Sequence, residues 1–375
     1  MKLVYWLSVA MIAYAYAGYP VILALVGWLR PRRVRRGSIT PSVAFVITAH
    51  NEERRIAAKI ENTLGQAYPR DAFEIIVASD GSTVGTDVIV RSFEAQGVRL
   101  VRTAERRGKE HAQRSAIGAS RGEVLVFSDV GTTLAADGVA TIVRNFADPT
   151  VGCVSSVDRV TDRDGRVSGE GIYVRYEMLL RRLETEAGGL VGLSGSFFAA
   201  RRVVCDDWPI DRPSDFRTAF NAVRLGYRAI ADPESVGYYQ TLADESREFD
   251  RKVRTVLRGI GAVTKDGRML DPLRHGMFAW QVWSHKLCRW MVPLFMLLAL
   301  VSNAVLVGEP LYRALLVLQL GFYGTAAWGL ARRGQGGRWV TRIPAFLVLA
   351  NLSILSAWYR YMAGRRVVTW TPSER

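Results

Sequence analysis

The feature that most constrains this chain is a short apolar run, Glu123-Val124-Leu125-Val126-Phe127-Ser128, that delivers Asp129. Two earlier runs have the same character, Val43 to Thr48 and Glu74 to Ser79, and the second leads directly into Asp80. Runs so short, apolar on both parities and rich in β-branched residues read as strands covered on both faces. Residues Glu53 to Gly65, a stretch ending at Gln96 and a stretch opening at Lys109 have helical spacing, and Val98 to Thr103 adds another strand. Strands alternating with helices predict an α/β fold, a mostly parallel sheet wound on both faces. In such sheets ligands bind at the carboxyl ends of the strands, where Thr48, Asp80 and Asp129 fall.

The chain also carries membrane signals. Leu3 to Leu29 has no charged residue and runs straight into Arg30, Arg32, Arg33, Arg35 and Arg36, which is long enough to cross a hydrocarbon core of about 30 Å. The length of the run and the arginines behind it favour a retained anchor, with its N-terminus outside, over a cleaved signal peptide. Trp290 to Gly308, Ala314 to Ala331 and Ile343 to Tyr359 are three further apolar segments, and Met277 to Arg289 suits an interface-lying or packing helix. Simple alternation places Arg360, Arg365 and Arg366 outside, against the positive-inside rule, so a re-entrant last segment is the other reading. The expected organisation is an anchor over 1–30, a basic linker over 31–42, a cytosolic domain over 43–270, and an interfacial helix with about three membrane segments over 271–375.

The net charge of +15 resembles that of a nucleic-acid binder until it is divided by position. Six basic residues precede Glu52 and eleven follow Arg274, whereas 52–274 carries 33 of each sign. A nucleic-acid protein concentrates cations on the domain that meets phosphate; here they flank apolar segments and suit anionic headgroups. No nucleic-acid partner is expected. Cys153, Cys205 and Cys288 are odd in number and lack metal-ligand spacing, which excludes a disulfide framework or zinc site as the organising element.

Several short motifs carry chemistry. Val46-Ile47-Thr48-Ala49-His50-Asn51-Glu52-Glu53 joins a strand to a helix, where backbone donors can meet a nucleotide, or Asn51 can simply cap the helix. Asp80 in Ser79-Asp80-Gly81-Ser82-Thr83 can accept from a base edge or ribose, or can shape a turn. Lys109 after Gly108 can face a diphosphate or solvent. Asp129 can share a hard divalent cation with phosphate oxygens. Asp215, in Ser214-Asp215-Phe216, suits either a general base or a helix N-terminal carboxylate, with Asp211 as its rival. Gly192-Leu193-Ser194-Gly195, followed by Ser196, permits close approach of a sugar or forms a strand-edge bend. Arg251 and Arg254 lie one turn apart on a basic helix.

In this order and spacing the motifs resemble membrane-embedded inverting glycosyltransferases of family 2, with the GT-A fold, close to the cellulose-synthase-like and hyaluronan-synthase-like group. The resemblance covers 43 to about 265. It implies that Thr48, Asn51, Glu52, Asp80, Lys109 and Asp129 hold a nucleotide sugar, with Asp80 reading the base, and that Asp215 is the catalytic base. It further implies that Gly195 and Ser196 approach the acceptor, that Arg251 and Arg254 meet the diphosphate and acceptor, and that Asp129 holds Mg²⁺ or Mn²⁺. Three departures stand out: Ser79 where two acids are usual, Gly131 where the Asp-x-Asp motif ends, and Arg251 and Thr255 where Gln and Trp flank the arginine of Gln-x-x-Arg-Trp.

The implied function is transfer of one sugar from a nucleotide-sugar donor, UDP-linked, to a lipid-linked or glycan acceptor. It would act at the cytosolic face of the cytoplasmic (inner) membrane, in exopolysaccharide or cell-envelope glycan synthesis. A processive polysaccharide synthase is the nearer alternative, opposed by the lost tryptophan; a non-catalytic membrane scaffold is the alternative of another class, motivated by the missing second acid.

Overall fold

The computed structural model describes residues 1–161, 172–240, 245–332 and 339–365. Two compact units emerge. The larger comprises the described residues of 23–243 and 265–278, and the smaller those of 1–22, 244–264 and 279–366.

The larger unit is built on one eight-stranded sheet: β1 (Val43–Ala49), β2 (Phe73–Asp80), β3 (Val98–Thr103), β4 (Val124–Asp129), β5 (Thr133–Leu134), β6 (Val151–Thr161), β7 (Phe197–Arg201) and β8 (Arg228–Gln240). Their order is β3-β2-β1-β4-β7-β6-β8-β5. The first four run parallel in aligned register, with Thr48 level with Asp129 and Ala49 with Ser79. All seven residues of β1 are buried. Val43, Phe45, Ile47 and Ala49 enter one core and Ala44 and Val46 the other, which is the two-sided burial that the uninterrupted apolar run predicts.

The other half of the sheet departs from the alternation. β7 pairs antiparallel to both β4 and β6, and β5 antiparallel to β8. β6 and β8 run parallel, with register shifts near Val151 and Ser155. The sheet is therefore mixed, and its antiparallel strands bring residues near 196 alongside the end of β4.

Aromatic packing locks that junction. Phe127 stacks on Phe198 at 4.8 Å and on Trp208 at 5.0 Å, contacts each worth about 0.5–1.5 kcal/mol beyond burial. This fixes the strand end two residues before Asp129. Gly122, at the other end of β4, is dictated by close approach, since a Cβ there would lie 2.3 Å from the Ala44 nitrogen.

Four helices are long and apolar enough to cross a membrane: Lys2–Leu29, Pro272–Val305, Pro310–Ala331 and Val340–Met362. Met277 to Arg289, read from sequence as a separate helix, is continuous with the second of these. A backbone reversal at Gly276, at φ 48°, marks its start. In the smaller unit several polar side chains are paired: Tyr14 meets Ser284 at 2.6 Å and Trp280 at 3.1 Å, and Trp358 donates to the Trp290 carbonyl at 3.0 Å. The last two spans cross closely at Gly329, where a Cβ would meet the Thr341 carbonyl at 2.6 Å, a small-residue contact typical of membrane helices. Arg366 and the basic loop 333–338 lie outside the described residues.

Candidate active site

The carboxyl ends of β1, β2 and β4 carry Thr48, Asp80 and Asp129, and the loops beyond them close around a single region. Thr48 is buried with its hydroxyl lacking a partner. Asn51 takes a positive φ of 53°. Its side-chain oxygen accepts from the Thr83 amide at 2.8 Å, tying the β1 loop to the Gly81-Ser82-Thr83 turn. Glu52 is buried and paired with Arg55 at 2.6 Å, and its carbonyl starts the next helix. That helix begins at Ile56, not at Glu53, because the strained turn at Asn51 occupies the intervening residues.

Asp80 is 1 % exposed, and both its oxygens are engaged: one accepts from the Arg107 amide at 2.9 Å, the other from the Gly108 amide at 2.8 Å. The carboxylate thus holds the 105–108 loop in place. Gly81 makes this possible: its φ is +58°, and a Cβ there would come within 2.7 Å of the Arg106 nitrogen. The loop then delivers Lys109 as the first residue of the helix Lys109–Ala119.

Lys109 is the hub. Its ammonium donates to Asp129 at 2.5 Å and to the Gly195 carbonyl at 2.8 Å. Gly195 leads on to Asp215, whose Oδ2 lies 3.7 Å from where a Gly195 Cβ would stand. The Asp215 carbonyl accepts from the Leu193 amide at 3.1 Å, and Glu110, next to Lys109, accepts from the Ser214 amide at 3.3 Å. Asp80, Lys109, Asp129, Gly195 and Asp215 therefore form one connected set, with Asp129 and Asp215 partly exposed. Ser196 accepts from the Asp129 amide through its carbonyl.

Two groups beside this set have no motif in the sequence. Asp158, at the end of β6, accepts from Ser194 at 2.7 Å and from Ser196 at 2.5 Å. Serines two apart on an extended segment point the same way, but their shared partner is 36 residues away and could not be found without the β6–β7 pairing. Lys59 is buried beneath the Asp129 loop, donating to the Ser128 hydroxyl at 2.8 Å and the Thr132 carbonyl at 2.5 Å. Burial pushes its ammonium down to about 7, partly opposed by the charge of Asp129.

Arg251 and Arg254 lie in the smaller unit, on the helix Glu245–Lys265, half-buried on one face with Arg258. Burial first, then the neighbouring Arg258 and Arg251, lower the Arg254 affinity for its proton.

At the carboxyl end of β4 the partly exposed Asp129 is the carboxylate that the sequence reading assigns to a divalent cation. Among the described residues no cluster of three His, Cys, Asp or Glu is placed to hold a metal. The donor set fits a hard cation only where phosphate oxygens and water fill the remaining positions.

Residues 44–208 match the model for Glycosyl transferase family 2. The chain carries a family 2 glycosyltransferase domain. Its structure is similar to a mannosyltransferase from Pyrobaculum calidifontis solved in complex with GDP-Man and Mn2+, with a TM-score of 0.75 and 25% identity over 97% of this chain and all of that one. The larger unit has the GT-A fold of that structure, joined in the same chain to the four apolar helices. Among curated relatives, a beta-monoglucosyldiacylglycerol synthase of Nostoc sp. is 25% identical over 190 residues, 48% of this chain and 40% of that protein. Glycosyltransferase AglD of Haloferax volcanii is 33% identical over 148 residues, 36% of this chain and 23% of that protein. The chain thus spans less than half the length of these relatives, and the family 2 domain is the part held in common.

Proposed function

We propose that this protein transfers a single sugar from a nucleotide-diphosphate donor to a lipid-linked or glycan acceptor at the cytosolic membrane face, with inversion at the anomeric carbon. The observation that carries the reading is the connected set Asp80, Lys109, Asp129, Gly195 and Asp215, which joins a cation and separate carboxylates through one run of short contacts. In this reading the acceptor hydroxyl attacks the anomeric carbon from the side opposite the diphosphate. The new C–O bond forms as the old one breaks, its electrons leave on the diphosphate, and Asp215 takes the hydroxyl proton. Lys109 meets the charge growing on the leaving group. Asp129 would hold a divalent cation, which would supply further neutralisation of the leaving diphosphate. Thr48, Asn51 and Glu52 line the nucleoside side, and Asp80 sets the loop that faces the base.

The four apolar helices favour a membrane acceptor. A UDP-sugar is the proposed donor, and a GDP-linked mannose is the second reading, because the Pyrobaculum calidifontis mannosyltransferase, similar over nearly the full length of this chain, was solved in complex with GDP-Man. A screen of nucleotide sugars against purified protein, read as released nucleoside diphosphate and followed by NMR of the product anomer, tests the proposal. An inverted product supports it. Absence of donor hydrolysis and of donor-dependent thermal stabilisation would favour the scaffold instead.

A further inference from the structure

On the helix Ser214–Arg224, Asp215 faces Gly195, whereas Arg217 and Arg224 stand roughly 180–200° around the axis. They line a cavity of about 700 Å³ that none of the residues assigned above enters. Six cations border it: Arg212, Arg217, Arg224, Lys265, Arg268 and Arg274. Two lining carboxylates oppose three of them, and outside the lining Asp211 pairs with Lys265 at 2.5 Å and Asp271 with Arg274 at 3.3 Å. Asp266 takes Arg212 at 2.5 Å and Arg217 at 2.8 Å, and Asp207 takes Arg217 at 2.5 Å and Arg224 at 2.6 Å. Three guanidiniums thus share two carboxylates, and Arg268 has no acidic partner among the described residues.

The cavity is also built, not merely charged. Arg217 is 7 % exposed, its two terminal nitrogens are held by Asp207 and Asp266, and its enclosed Nε has no acceptor. A buried guanidinium donor left unmade is costly, and a phosphate oxygen is its natural partner. The second oxygen of Asp266 likewise lacks a donor, which a water or a headgroup glycerol hydroxyl would satisfy.

The setting indicates where that phosphate comes from. Arg274 lies just before the backbone reversal at Gly276 that opens the second apolar helix, and its neighbour Leu273 is 96 % exposed. Leu225, which follows Arg224, is exposed as well. Cations beside exposed leucines at the entrance to an apolar helix are the pattern of a membrane interface. We propose that this cavity binds the phosphate headgroup of an anionic membrane lipid, as a site separate from the catalytic one. The inference stands apart from the transferase reading, because its readout is lipid binding.

The test uses the full chain in phosphatidylcholine nanodiscs, with phosphatidylglycerol added, and reads thermal stabilisation and lipid retained on purification. Wild type is expected to gain stability and retain phosphatidylglycerol. Arg268→Gln and Arg274→Gln, both at exposed positions, should each lower the apparent affinity about fivefold while leaving the melting temperature in phosphatidylcholine unchanged. Arg33→Gln with Arg35→Gln removes interfacial charge outside the cavity and should have a smaller effect. Equal losses from the two sets would reduce the effect to general surface attraction and overturn the proposal. Equal stabilisation by soluble glycerol phosphate, without preference for the lipid, would assign the cavity to a free phosphate and overturn the lipid source.

Discussion

The ammonium of Lys109 stands 2.5 Å from the carboxylate of Asp129 and also donates to the Gly195 carbonyl at 2.8 Å. Helix start, strand end and the loop at Gly195 are thereby joined through one side chain. A charged hydrogen bond of this kind ranks among the stronger single contacts, and a donor diphosphate would compete for both of its members. Lys109→Met is expected to raise the donor KM by about tenfold or more, with a smaller effect on melting temperature. Initial-rate kinetics with the donor found in the screen would check this.

In the proposed mechanism Asp129 is the carboxylate that holds a divalent cation. Asp129→Ala should lower turnover by two orders of magnitude or more, roughly the contribution of one preorganised charge group, and flatten the response to Mn²⁺ and Mg²⁺. Metal titration after chelation, on wild type and variant side by side, gives the comparison. An unchanged metal response in the variant would remove Asp129 from that role.

Asp80 has a structural share that must be separated from its proposed binding share. Its removal leaves the Arg107 and Gly108 amides without their carboxylate, a loss of about 1–3 kcal/mol. Asp80→Ala should therefore melt lower without donor and also lose the donor-induced increment. A variant that melts lower but keeps the full increment would make Asp80 a loop clamp only.

Lys59 carries the pH prediction. Burial holds its folded value near 7, below the unfolded value of about 10.4. Between these the unfolded chain binds more protons, so stability rises as pH increases from about 7 towards 10. Below 7 both states are protonated and the burial cost is fully present. Lys59→Met, which keeps an unbranched stem but removes the ammonium that lies 5.4 Å from the centre of the Phe45 ring, should flatten that rise. Denaturant melts of wild type and variant across the window would show whether the two curves converge at high pH.

How much of this was legible beforehand differs along the chain. β1, β2 and β4 are short, apolar on both parities and sequential neighbours of helices, so local pattern alone locates them and the acids at their ends. β7 and β8 are not of that kind. β8 contains Asp232, Pro233 and Glu234 within its thirteen residues, and it pairs with β6 across a distant stretch of sequence. No local period announces an antiparallel insertion. Asp158 was missed for the same reason, since only the folded sheet brings it to Ser194 and Ser196. Lys59 sat in an apparent helix face, and nothing short of the Ser128 and Thr132 contacts distinguishes it from a solvated lysine.

The account rests on Asp215 as the group that takes the acceptor proton, and turnover of Asp215→Asn tests it most directly. Asparagine keeps the size and the Phe216 amide contact but cannot accept a proton at neutral pH. The account predicts a fall in transfer rate of about 10²–10⁴ with donor-induced thermal stabilisation retained. Transfer at the wild-type rate by a folded Asp215→Asn protein would contradict it.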